Sequence, residues 1–257
     1  MSKIFQAFKN HNKAFIPYIS CGDPDIETTK ELVRVMADNG ADIIELGIPF
    51  SDPTAEGPVI QQASLRALKG GITTDKIFSM VHELRNDIKI PLVFMTYANV
   101  VFSYGTEKFL SHCESLGIDG LILPDVPFEE REDFLPSCES HNVDLISMIA
   151  PTSENRIAEI SRNARGFIYI VSSLGVTGMR SEITTDIEGM TKSIRANTNI
   201  PCAVGFGIST PEQARKISGY SDGVIVGSAI VKIIAEYGRD SVSRVGEFVR
   251  SMKSAIC

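Results

Sequence analysis

Eight short apolar runs, rich in β-branched and aromatic residues, recur along the chain between stretches whose apolar positions follow helical spacing. They predict strands at about residues 15–20, 43–46, 92–96, 120–123, 145–149, 167–171, 202–205 and 223–226. Continuously apolar strands alternating with amphipathic helices indicate a parallel sheet whose outer face is covered by helices. Between Asp25 and Ala37, Leu32, Val35 and Met36 fall on one helical face, and Gly40 closes the segment. Thr210 followed by Pro211 and Glu212 reads as an N-cap threonine, a proline at the first helical position and an early acidic residue. Asn39-Gly-Ala-Asp42 and Leu116-Gly-Ile-Asp119-Gly repeat one junction, a helix-ending glycine and a short link into a strand. These features predict an α/β fold, a single-domain (β/α)8 TIM barrel over residues 1–257 with extra helices at the N terminus and in loops. The competing architecture is a doubly wound open sheet. It needs two edge strands and a nucleotide fingerprint, and Gly205-Phe-Gly207-Ile-Ser lacks the third glycine of that motif.

Composition narrows the function classes. Among 257 residues, 43% are hydrophobic and 22% charged, enough apolar material for a large core. A net charge of -7 argues against a nucleic-acid surface, which needs a basic stripe. It leaves small anionic substrates open, because a few backbone amides bind a phosphate locally. No apolar run approaches the roughly 18 residues of a membrane span, and the first residues lack a signal-peptide core. The five cysteines are scattered and without C-x-x-C spacing, so neither disulfides nor a metal site is expected, and the location expected is cytoplasmic.

The candidate chemistry lies at the carboxyl ends of the strands, where barrel sites are built. Gly205-Phe-Gly207 and Gly227-Ser228 each follow a strand and open a helix, so their amides and the Ser228 hydroxyl suit a phosphate. Leu174-Gly-Val-Thr177-Gly178 is placed to complete that cradle. Glu45, inside an apolar strand, is costly to ionise unless paired or used, and burial suits it to acid/base work. A structural glutamate paired with a lysine or arginine is the alternative. Glu56 lies in the stiff loop that follows and reads either as a second site carboxylate or as a solvent-exposed charge. Asp52 fits an Asx-turn before a proline, and Asp125, between prolines, fits either the barrel mouth or a loop-holding turn. Tyr169 would point into the barrel, as a substrate contact or as a core tyrosine. His11, His82, His112 and His141 fall outside the mouth, and Ser172-Ser173 lacks a histidine base.

Several segments together resemble one family, the α subunit of tryptophan synthase. They are Phe15-Ile-Pro-Tyr-Ile-Ser-Cys-Gly-Asp-Pro, Glu45-Leu-Gly-Ile-Pro-Phe-Ser-Asp-Pro, Asp125-Val-Pro, Gly175-Val-Thr-Gly, Gly205-Phe-Gly-Ile-Ser and Gly227-Ser-Ala-Ile-Val-Lys. The resemblance runs nearly end to end, and its Glu-Leu-Gly-x-Pro-Phe-Ser-Asp-Pro segment is highly specific. It implies retro-aldol cleavage of indole-3-glycerol phosphate to indole and glyceraldehyde 3-phosphate, with no cofactor in this chain. It also implies a pyridoxal-phosphate-dependent β subunit that receives indole through a tunnel in an αββα assembly. By position, Glu45 becomes the general acid/base. Gly178, Gly207, Gly227 and Ser228 become phosphate ligands, and Tyr169 a substrate contact. Thr177 falls in a loop closing over the site, and Asp52 and Asp125 fall on the partner-facing surface. One departure stands out. The family usually carries Leu-Ala-Asp-Gly-Pro where this chain has Thr54-Ala-Glu56-Gly-Pro, a stem longer by about 1.5 Å. Glu56 is expected to hydrogen-bond the indole N–H.

Overall fold

Every strand in the structure runs parallel to its neighbours. The computed structural model describes residues 2–10, 13–171, 186–205 and 207–257. Among them, the strands are β1 (Ala14–Ser20), β2 (Ile44–Gly47), β3 (Leu92–Met95), β4 (Gly120–Ile122), β5 (Asp144–Leu145), β6 (Ser147–Ile149), β7 (Ile168–Val171), β8 (Cys202–Gly205) and β9 (Gly223–Val226). Hydrogen bonding orders them β5-β4-β3-β2-β1-β9-β8-β7-β6. The expected barrel is therefore present, with one difference. The run expected at 145–149 is divided: β5 pairs with β4, β6 pairs with β7, and the Ile146 amide between them donates to Leu121 O at 2.9 Å. Barrel shear staggers adjacent strands. The first residues of this short run thus reach one neighbour and the last reach the other, closing the seam.

The helices are α1 (Lys3–Asn10), α2 (Ile26–Asp38), α3 (Pro58–Lys69), α4 (Thr74–Leu84), α5 (Ala98–Tyr104), α6 (Thr106–Leu116), α7 (Leu135–Ser140), α8 (Ile157–Arg162), α9 (Ile187–Arg195), α10 (Pro211–Ser218), α11 (Ser228–Tyr237) and α12 (Val242–Ile256). Asp25 caps α2 by accepting from Thr28 N–H, and Thr210 forms a capping box with Gln213 at the start of α10. On α2, Leu32, Val33 and Met36 are fully buried. Val35 is only half-buried because it packs at the edge of α12, where a Cβ at Gly246 would lie 2.7 Å from its Cγ2.

Strand alternation divides the apolar residues between two cores. Phe15, Ile44, Leu46, Phe94 and Leu121 point outward into the layer beneath the helices. Ile16, Ile43, Val93, Ile122, Phe167 and Ile225 point inward. The apolar face of α1, Ile4, Ala7 and Phe8, joins the inner core. It approaches two strand glycines, since a Cβ at Gly120 or Gly223 would sit 2.9 Å from Ile4 Cδ1 or Phe8 Cε1.

At the strands' amino-terminal ends, three aspartates repeat one device. Asp42, Asp119 and Asp222 accept from Phe15 N–H at 2.6 Å, Leu92 N–H at 3.1 Å and Cys202 N–H at 2.9 Å on the adjacent strand. Each also meets a cation, Lys253 at 2.7 Å, Arg85 at 2.9 Å and Arg195 at 2.8 Å. Two of the three close the junctions noted in the sequence, and the third follows Gly219. Loss of such an acceptor strands a buried amide and a half-buried guanidinium. Asp119→Ala is therefore expected to lower stability by about 2 kcal/mol. Asp87→Ala, at the exposed Arg34–Asp87 pair, is expected to change it by less than about 0.5 kcal/mol. Urea denaturation measures both, and equal losses would refute the distinction.

Candidate active site

Glu45 on β2 follows Ile43, the residue just before that strand, by two positions, so alternation turns both inward. The parallel register sets Glu45 beside Tyr18 on β1 and Val93 on β3. The residue is 1% exposed, and neither carboxylate oxygen has a hydrogen-bond partner. The paired alternative is thereby removed: among the described residues, no lysine or arginine meets it. Burial, and after it the charge of Glu56, pushes the Glu45 carboxyl up to about 8. Glu56 turns inward from the loop before α3, in which Ser51, Asp52 and Thr54 are exposed, and is itself 6% exposed, with Oε2 unpartnered. Burial pushes its carboxyl up to about 7. The solvent-exposed reading of Glu56 therefore fails.

Two tyrosines enclose this pair. Tyr18 and Tyr169 are both 5% exposed and belong to the inner core. Burial raises both hydroxyls well above their ordinary value; the next contribution is Glu56 for Tyr18 and Glu45 for Tyr169. Each hydroxyl lies over a glycine on the neighbouring strand, Tyr18 over Gly47 and Tyr169 over Gly205, where any Cβ would overlap it. The Tyr18 ring continues toward Gly227, whose Cβ would stand 3.2 Å from Tyr18 Cδ1. Its hydroxyl also lies 3.3 Å from Ser20 Oγ.

The glycine turns occupy the same end of the barrel. Gly207 follows β8 with φ +83°, a left-handed conformation that favours glycine. Gly227 is the N-cap of α11 and Ser228 its first residue, so the helix begins directly at the end of β9. Thr177 and Gly178 lie outside the described residues. A cavity of about 500 Å³ is lined by Thr54 and Ala55 of the Glu56 loop together with Leu123, Arg131, Met148 and Val171; neither Glu45 nor Glu56 lines it.

Asp52 and Asp125 are exposed and stand apart from the buried pair. Asp52 accepts from the Ser51 hydroxyl. Asp125 accepts the Ala98 N–H through both oxygens at 3.1 Å, capping α5 from the loop after β4. Among the described residues, no group of three or more His, Cys, Asp or Glu side chains is placed to hold a metal ion. None of the described helices is long and apolar enough to cross a membrane.

A carboxylate pair inside a parallel barrel, facing glycine turns after β8 and β9, can be set against known proteins. The sequence model of the family described as tryptophan synthase alpha chain matches residues 5–257. The chain belongs to this family. It is 50% identical over 251 residues to the tryptophan synthase alpha chain of Alkaliphilus metalliredigens, covering 96% of this chain and 94% of that one. It is 46% identical over 256 residues to the one from Lacticaseibacillus casei, covering 100% and 96%. Among solved structures, the alpha chain from Legionella pneumophila superposes with a TM-score of 0.90 at 35% identity, covering 100% of this chain and 97% of that one. A chain of Mycobacterium tuberculosis tryptophan synthase gives 0.90 at 33% identity, covering 99% and 98%.

Sequence reasoning missed Tyr97, Gln61, Gly47 and the Asp23–Arg66 pair. Tyr97, 2% exposed at the end of β3, accepts the Ala55 N–H at 3.0 Å. The Asp23 carboxylate, nearly fully buried, takes two parallel bonds from Arg66 at 2.8 Å, joining the β1–α2 loop to α3. Asp23 and Gly47 carried a signal, as parts of the Cys-Gly-Asp-Pro and Glu-Leu-Gly-Ile-Pro segments, whereas Tyr97, Gln61 and Arg66 carried none.

The raised carboxyls have a consequence for stability. From the ordinary value of 4.5 up to about 8, the unfolded chain releases a Glu45 proton that the folded chain keeps. Folding is therefore opposed increasingly as pH rises through that window. Glu45→Gln is expected to gain stability over the unsubstituted chain from pH 5 to pH 8, measured as the difference in denaturant midpoints. A pH-independent difference would contradict the burial of an uncompensated carboxyl.

Proposed function

We propose that this chain is the lyase subunit of tryptophan synthase, cleaving indole-3-glycerol phosphate to indole and glyceraldehyde 3-phosphate and passing indole to a β subunit. The reading rests on one observation above the rest: Glu45 is buried and unpartnered inside the barrel, with a carboxyl poised near neutrality beside a second buried carboxyl. A group that must give up a proton and then accept another works best when its affinity lies near the working pH.

The substrate phosphate binds at the amides of Gly207, Gly227 and Ser228, with Gly178 and Thr177 completing the cradle. Its glycerol chain then runs past Tyr18, whose ring extends from Gly227 toward Gly47. Protonated Glu45 donates to indole C3, turning the ring into a cation. Ionised Glu56 accepts a hydrogen bond from the ring N–H and stabilises that charge. Glu45, now ionised, takes the proton of the glycerol hydroxyl next to the scissile bond. The carbon–carbon bond breaks, its electron pair restores the aromatic ring, and the hydroxyl carbon becomes the aldehyde. Tyr169 packs against the bound substrate. The enclosing aromatic walls keep the cationic intermediate away from water.

The 257 residues act as one barrel domain and join a β subunit in an αββα assembly. Asp52 and Asp125, exposed on loops at the carboxyl ends of β2 and β4, face that partner. Pyridoxal phosphate belongs to the β subunit. A cytoplasmic location accords with five free cysteines.

Glu45→Gln is expected to reduce indole release at least about 100-fold while leaving β-subunit binding intact. An indole-release assay with and without the β subunit, alongside a pull-down, tests both statements. Turnover near that of the unsubstituted chain would exclude the acid/base role.

A further inference from the structure

Glu56 sits on an irregular segment, yet its backbone is held on both sides by side chains from regular elements. Tyr97 Oη accepts the N–H of Ala55, the preceding residue, at 3.0 Å. Gln61 Nε2, on the first turn of α3, donates to Glu56 O at 2.9 Å. Tyr97 itself is firmly anchored. It follows β3, stacks on Phe50 with ring centroids 5.2 Å apart, and is the N-cap residue of α5. The next amide, Ala98 N–H, is taken by Asp125.

We infer that Tyr97 and Gln61 are positioning residues that clamp the backbone of Glu56 and so aim its carboxylate at the substrate ring. The inference rests on the reading of Glu56 as the second carboxylate of the reaction. A glutamate reaches farther than an aspartate and has one more rotatable bond, so its tip follows any movement of its backbone. Fixing the amide before it and the carbonyl of the residue itself removes the loop's contribution to that movement. What remains is side-chain rotation, restricted because the carboxyl is buried. The clamp also links the Glu56 loop to Asp125 through adjacent residues, Tyr97 and Ala98, of one anchored turn.

Tyr97→Phe keeps the ring on Phe50 and removes only the acceptor of the Ala55 amide. Gln61→Met keeps the length of the side chain and removes its donor. Each is expected to lower kcat for indole release about 10-fold, with KM changed less than about two-fold. Each should have no further effect in a Glu56→Gln background, because the clamp acts through that carboxylate. Thermal unfolding of every variant establishes that the fold is kept; if one variant is unfolded, the other carries the test. Unchanged kcat in the folded single variants overturns the clamp, as does an equal loss with and without Glu56. Full turnover of Glu56→Gln alone overturns the role of Glu56, and the clamp's function with it. Loss in Glu56→Gln with no loss in Tyr97→Phe and Gln61→Met overturns only the clamp.

Discussion

A carboxyl group with both oxygens removed from water and no hydrogen-bond partner is expensive to ionise, and Glu45 holds this position in the barrel. Its proton affinity follows from its surroundings. Tyr18 on β1, Val93 on β3 and Tyr169 on β7 belong to the same inner core and exclude solvent from it. Those neighbours are set by strand register, so anything that shifted β1 or β2 by one residue would turn Tyr18 or Glu45 outward. The raised proton affinity of Glu45 is thus a property of the closed barrel as much as of one side chain. Gly47 and Gly205 take part because the tyrosine hydroxyls occupy the space a Cβ would fill.

The two ends of the barrel carry different kinds of polar contact. At the amino-terminal end, Asp42, Asp119 and Asp222 join adjacent strands and meet Lys253, Arg85 and Arg195. These contacts hold neighbouring strands at one level, which favours the register on which Glu45 depends. At the carboxyl-terminal end the contacts join loops: Asp23 to Arg66, Tyr97 to Ala55, and Asp125 to Ala98. Barrels commonly place stability at the first end and chemistry at the second. Here the loop contacts limit the freedom of the segments that carry the proposed site residues.

Strand positions were legible because a buried parallel strand is apolar along its whole length, and the pattern needs no tertiary information. The division at Ile146 was not, because it depends on which neighbour each residue reaches after closure. Glu45 was visible as a charge in an apolar strand, and Glu56 through its place in a family motif. Tyr97 carried no such mark: its bond to Ala55 spans 42 positions, and an aromatic after a strand reads as core. Gln61 looked like any polar residue on a helix. The glycine junctions at 40 and 117 were readable, while the role of Asp42 and Asp119 beside them required knowing the adjacent strand. Asp125 was left between mouth and turn, and its bonds to Ala98 make it a holder of the loop as well as an exposed group.

The longer side chain at position 56 bears on how the two carboxyls share protons. Burial raises both carboxyls, and the charge of Glu56 adds to the rise at Glu45. An ionised Glu56 makes the proton on Glu45 harder to remove. Beside an ionised Glu56, a protonated Glu45 is favoured. That state matches an acceptor for the indole N–H and a donor for C3. A carboxylate at position 56 too far from Glu45 would lose this influence, and Glu45 would ionise more readily. The clamp proposed for the Glu56 backbone then bears on more than the proposed contact with the ring. By holding one carboxyl within reach of the other, it would also help to keep the proton on Glu45, the proposed donor.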